Sequence, residues 1–170
     1  DLIDSKENIC IQKFSVQNQE QEHRHDFIEI VYIWEGSGVH LINDLPLAVQ
    51  KGDVLFFNLG DTHSYIPEEQ MGIYNCLINP EFFGQELINS NNALDILTLT
   101  TFKDFERQLV DIQPKVAFIG KEMLEIEELL NSMYAEFRRK EDGYKEILSS
   151  YMTIFLIKLF RKVKKNHGEE

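Results

Sequence analysis

The chain has 170 residues, enough for one domain with a sizeable core and an appended helical part. Hydrophobic residues at 43% and charged residues at 27% are ordinary for a soluble globular protein, and 17 Lys and Arg against 29 Asp and Glu leave a net charge of −12. That balance excludes a grip on phosphate backbones by this chain, which would need a basic surface, and no apolar run approaches the roughly 18 residues of a membrane span.

Residues 7 to 16 mix apolar, polar and β-branched positions and predict a first strand, and Gln17 to Glu22 reads as a loop. Residues 27 to 34 are apolar on both faces except for Glu29, which predicts a strand covered on both sides with one carboxylate inside it. Glu35-Gly36-Ser37-Gly38 predicts a hairpin turn into a strand over Val39 to Ile42. Asn43-Asp44 turns the chain again, Leu45 to Val49 is a short strand, and Lys51-Gly52-Asp53 leads into a strand over residues 54 to 57. Ile73 to Ile78 is another. Short strands punctuated by turns at this spacing predict an antiparallel sandwich or barrel.

The pattern changes after Asn79-Pro80. Pro80 suits the first turn of a short helix through Leu87, Asn89 to Asn92 is a loop signal, and residues 93 to 119 carry no clean period. From Lys121 the period becomes helical, with Met123, Ile126, Leu130, Met133 and Phe137 at three-and-four spacing. Asp142-Gly143 breaks that helix and a second begins near Tyr144. Leu148, Met152, Phe155, Leu159 and Val163 form one of its stripes, and Ile147, Tyr151 and Ile154 an adjoining one. Either one stripe packs on the first helix or the barrel and the other is left for a partner, or both are buried within one chain; Leu148, Met152, Phe155 and Leu159 are the candidates for the partner-facing stripe. The five Lys or Arg between Lys158 and Lys165 suit the negative end of the second helix dipole. Cys10 and Cys76 match no metal or redox spacing and read as reduced thiols of a cytosolic protein. The start has no initiator Met and no basic region followed by an apolar run, so the chain reads as a trimmed piece and not as a secreted precursor.

The candidate chemistry lies between His23 and Tyr65. If residues 23 to 33 form a single strand, His23, His25 and Glu29 project from one face. With His63 they make three imidazoles and a carboxylate, a set that suits a divalent transition metal such as zinc, iron, nickel or manganese with positions left open. These residues also resemble the two motifs of the cupin superfamily. His23, His25, Glu29 and Gly36 fit the first motif, and Gly52, Gly60 and His63 fit the second. Asn58 stands where the family has Pro, and Pro67 where it has a final Asn, so the departures fall in the turn and spare the four ligand positions.

A cupin-like antiparallel β-barrel (double-stranded β-helix) followed by a two-helix antiparallel hairpin is similar to the amino-terminal effector-binding and dimerisation domain of AraC/XylS-type bacterial transcription regulators. The resemblance implies a mainly β plus α fold, with the barrel over residues 1 to 119 and the dimerising hairpin over residues 120 to 166. It implies a small-molecule effector, a sugar or other metabolite, inside the barrel, a cytoplasmic homodimer, and DNA contact only through a helix-turn-helix domain beyond this chain. His23, His25, Glu29 and His63 are then the ligand-binding residues. They are also the candidate metal ligands, or a hydrogen-bonded polar cluster with no metal. Trp34, of opposite strand parity to His25 and Glu29, is expected to pack on the outer face. The signal relay is either the segment before His23 or the hairpin. The rival reading is a metal-dependent cupin enzyme of the dioxygenase or isomerase class, in which the same four side chains would be the metal's ligands. A stand-alone sugar-binding module is a third. Against the enzyme stands the lack of a further acid or base beside the set, His40 being the only other histidine in the barrel stretch.

Overall fold

A strand whose residues are apolar on both faces must be covered on both sides, and Ile28–Glu35 is the strand on which the two cores of this protein meet. In the computed structural model, residues 7–19, 23–24, 28–57, 62–79 and 115–167 are described. The strands run β1 Ile9–Val16, β2 His23–Arg24, β3 Ile28–Glu35, β4 Ser37–Ile42, β5 Leu45–Gln50, β6 Asp53–Phe57, β7 Thr62–Pro67, β8 Met71–Ile78 and β9 Lys115–Ala117. Two helices follow, α1 over Gly120–Arg139 and α2 over Tyr144–His167. The strands form two antiparallel sheets, one in the order β1-β8-β3-β6-β9 and the other β2-β7-β4-β5. Facing each other, they make a cupin-like barrel.

Pleat alternation divides the side chains of β3 between two cores. Val31 and Ile33 face the barrel interior with Val16, Val49, Leu55, Tyr65, Met71 and Ile73. Ile30 and Tyr32 face outward, where Ile126, Leu130, Met133, Leu148, Met152 and Phe155 of the helices cover them. The five-stranded sheet is therefore the middle layer of the molecule. Trp34 lies on its outer face, as expected, with the Lys13 ammonium 5.0 Å from its ring centre. A side chain at Gly72 would drive a Cβ into the Trp34 ring, so only glycine fits at that point of β8.

Three expectations are corrected. Residues 23 to 33 are not one strand: β2 belongs to the four-stranded sheet and β3 to the five-stranded one, so the chain changes sheets between them. The predicted hairpin at residues 35 to 38 is a sheet-to-sheet crossing as well, since β4 pairs with β5 and β7 and not with β3. Gly36 makes this bend at φ +82°, a left-handed conformation, where a Cβ would collide with the Gln70 carbonyl oxygen. The third correction concerns the dimer stripe. Leu148, Met152, Phe155 and Leu159 are buried within this one chain, against α1 and the sheet, and cannot serve as an outer contact. The exposed apolar residues of α2 are Ile147 and Ile154, at 40% and 44%, on the adjoining stripe.

The strand over Thr62–Pro67 carried no sequence expectation. The turn at Asn43-Asp44 is present, with both residues in left-handed conformations, and so is the break at Gly143. The helix over residues 80 to 87 and the loop at residues 89 to 92 lie outside the described residues, as does residue 93 to residue 114 of the unassigned stretch. Beyond it, β9 pairs with β6. The basic end of α2 does more than meet its own dipole. Lys158 pairs with Glu125 at 3.6 Å and Lys162 with Glu122 at 3.5 Å, tying it to the start of α1. At the other end of the hairpin, Tyr144 donates its hydroxyl to Glu7 at 2.6 Å and Lys140 approaches the same oxygen at 3.4 Å.

Candidate functional site

Glu29 has the strand parity of Val31 and Ile33, so its carboxylate points into the barrel, and it is 1% exposed. His63 comes from β7 in the opposite sheet, and its Nε2 lies 3.0 Å from Glu29 Oε2. The contact thus bridges the two sheets through the interior. His40 of β4 places Nε2 3.4 Å from His63 Nδ1, so each ring nitrogen of His63 faces a polar neighbour. Tyr65 stacks on the His40 ring with centroids 4.5 Å apart and meets His63 edge-on at 5.9 Å. Glu29, His63 and His40 form one polar row beside the apolar residues Val31, Ile33, Leu55 and Ile73 of the interior.

Of the four predicted site residues, the structure brings Glu29 and His63 together. His23 is paired by its backbone with His63, which places its Cα in the same row; its side chain and all of His25 lie outside the described residues. The 3.0 Å between His63 Nε2 and Glu29 Oε2 is a spacing that two ligands of one metal ion adopt as readily as two hydrogen-bonding groups do. Among the described residues no group of three His, Cys, Asp or Glu is placed to hold a metal ion.

Sequence reasoning missed two members of this interior. His40 is one, because the apolar Val39 and Leu41 on either side of it make the parity of β4 look reversed in the sequence. Asn75 of β8 is the second, buried to 7% exposure in a strand with no exposed residue. A polar residue inside an apolar run was the signal, the same one that marked Glu29. Elsewhere, Asp53 is buried where β6 begins; burial pushes its carboxyl up, against the Gln50 backbone N–H at 2.8 Å and the nearby Lys115 ammonium. Burial likewise raises the thiols of Cys10 and Cys76, the former helped by Glu7, so neither is primed as a nucleophile.

Residues 8–99 match the family model of the AraC-like ligand-binding domain, which is more than half of the chain. The chain belongs to that family. The AraC-like domain is also 38% identical over 60 residues to the HTH-type transcriptional activator RhaR of Escherichia coli strain K12, a stretch that is 35% of this chain and 21% of that activator. The chain thus matches only about a fifth of that relative's length. Among solved structures it is similar to a predicted oxalate decarboxylase from Thermotoga maritima, at 25% identity and TM-score 0.38 over 40% of this chain and 64% of that one. A cupin 2 conserved barrel domain protein from Rhodopseudomonas palustris matches at 20% identity and TM-score 0.40, over 45% of this chain and 55% of that one.

Proposed function

We propose that this AraC-like domain is the effector sensor of a bacterial transcription regulator. A small molecule enters the barrel and meets apolar walls together with Glu29, His63 and His40, joined by His23 and His25 from the neighbouring stretch. The observation that carries this reading is the inward polar row: buried acceptors and imidazoles in an apolar interior reject compounds that cannot partner them, which is the basis of selective binding. The domain acts in the cytoplasm as a sensor and not as an enzyme.

Output requires that two states of the regulator differ in affinity for the effector. The hairpin is the favoured relay. Tyr32 and Tyr74 stand opposite each other on β3 and β8, and their hydroxyls donate to Glu127 and Asn131, one turn apart on α1. Strands that carry the site on one face are thereby bonded to a helix on the other. Ile147 and Ile154, with half-buried Tyr151 between them, are the surface on which a second copy would dock. DNA contact would come from a helix-turn-helix domain of the longer protein, in keeping with the name of the Escherichia coli relative and with the net charge of −12 here.

The test is a thermal-stability screen of metabolites on the purified chain, repeated on Glu29→Gln and His63→Ala. At least one compound stabilises the wild type and loses its effect in both variants. Equal stabilisation of wild type and variants would place binding elsewhere.

A further inference from the structure

We infer that an aromatic strip beside α1, made by Trp34, Tyr74 and Tyr134 with Lys13 and Arg138 laid on it, is a docking surface for an acidic segment of a partner protein. It lies on the outer face of the five-stranded sheet, away from the barrel interior, and three observations carry it.

The strip is held in place. Tyr74 is fully buried and donates its hydroxyl to Asn131 of α1, and Tyr134 meets it edge-on with ring centroids 6.0 Å apart. Trp34 lies against β8 in the space that Gly72 leaves open. Side chains fixed in this way lose little freedom when a partner arrives, and Trp, Tyr and Arg are the residue types that most often dominate protein interfaces.

The cations on the strip are uncompensated. The Lys13 ammonium stands 5.0 Å from the Trp34 ring centre and 4.9 Å from that of Tyr74, and the Arg138 guanidinium is 5.6 Å from that of Tyr134. Both side chains are exposed, and neither has a carboxylate partner among the described residues, whereas Lys115, Lys140, Lys158 and Lys162 each have one. The ring faces attract these cations without neutralising them. On a chain of net charge −12 they make a local positive surface, which draws acidic groups. Lys13 and Arg138 stand over different rings, so acidic side chains spaced along a peptide engage both, and an isolated small anion engages one.

Trp34 Nε1 is buried with no acceptor among the described residues. A buried indole N–H normally has one, and a carboxylate or carbonyl oxygen of a docked segment would supply it.

Trp34 is the single tryptophan of the chain, so its fluorescence reports this strip alone. The experiment titrates the purified chain with a short acetylated peptide that alternates Glu and Leu, and follows Trp34 emission. The same peptide with Gln for Glu, glutarate, inorganic phosphate and a short DNA duplex are titrated in parallel. The expected result is a saturable change with the acidic peptide that weakens as salt is added, and none with the Gln peptide. Affinity falls about three-fold or more in each of Lys13→Gln and Arg138→Gln, the scale of one exposed charge contact, and Lys13→Arg retains it. Unfolding curves establish that each variant is folded; should one not be, the acidic-versus-neutral comparison on wild type decides the matter. Equal binding of the Gln peptide, unchanged affinity in a folded double variant, or no saturable response at millimolar peptide overturns the inference. Glutarate or phosphate binding as tightly as the peptide would make this a small-anion site, and tight binding of the duplex a nucleic-acid contact. Self-association of the chain in sedimentation that Arg138→Gln abolishes would make it an interface between copies. Each of these overturns the assignment to an acidic partner segment.

Discussion

Adjacent residues on α2 make opposite predictions. Phe155 is fully buried between α1 and the sheet, and Ile154 is 44% exposed. Phe155→Ala removes a ring from a packed interface and leaves a cavity, costing about 3–5 kcal/mol. For a chain of this size each kcal/mol moves Tm by about 2–4 °C, so the midpoint falls by roughly 6–20 °C. Against a typical total stability of about 5–15 kcal/mol, that loss is a large fraction. Ile154→Ala gives up little burial within the chain and costs less than about 1 kcal/mol. Urea unfolding of both variants, at a protein concentration low enough to hold the chain monomeric, measures the difference. Sedimentation at higher concentration then reads the second half of the claim: Ile154→Asp lowers self-association with the fold intact. Comparable destabilisation by Ile154→Ala and Phe155→Ala in the dilute chain would refute the assignment of the two stripes.

Three further outcomes follow from the packing and charges. Gly72→Ala forces a Cβ into the Trp34 ring and lowers stability by about 1–3 kcal/mol, read from urea midpoints; a variant as stable as wild type would show that the ring moves freely. Tyr144→Phe deletes the hydroxyl that holds Glu7 at 2.6 Å, costs about 1–3 kcal/mol, and speeds hydrogen exchange at the start of β1; unchanged exchange there would show that the tie is not made in solution. Burial raises the Asp53 carboxyl above its ordinary 3.8, so the folded state holds that proton more tightly than the unfolded chain does. Its contribution is fully present below pH 3.8 and is lost as pH rises through the raised folded value, so Asp53→Asn gains stability relative to wild type across that window. Parallel stability curves for the two proteins between pH 3 and about pH 7 would contradict this.

The barrel was legible because its strands are short, β-branched and separated by turn residues, and the two helices because their apolar residues recur at helical spacing. Which sheet each strand joins was not legible. Gly36 looks like a hairpin turn and residues 23 to 33 like one strand in the sequence, yet β2 and β4 lie in a different sheet from β3; pairing is decided by distant partners such as β7. Glu29 stood out as a carboxylate inside an apolar strand. His40 did not, since the half-buried Val39 and Leu41 beside it are as apolar as an inward pair would be. The α2 stripes were both visible, but choosing the buried one needs the shape of the surface beneath the helix.

The central claim is that the row of Glu29, His63 and His40 is a binding site and not a catalytic one. Its most direct test is calorimetric titration of a stabilising compound into wild type and Glu29→Gln, with the compound recovered afterwards and its identity checked. The account predicts saturable binding by the wild type, loss in the variant, and recovery of the compound unchanged. Conversion of the compound by the wild type, abolished in Glu29→Gln, would contradict it and make this barrel an enzyme.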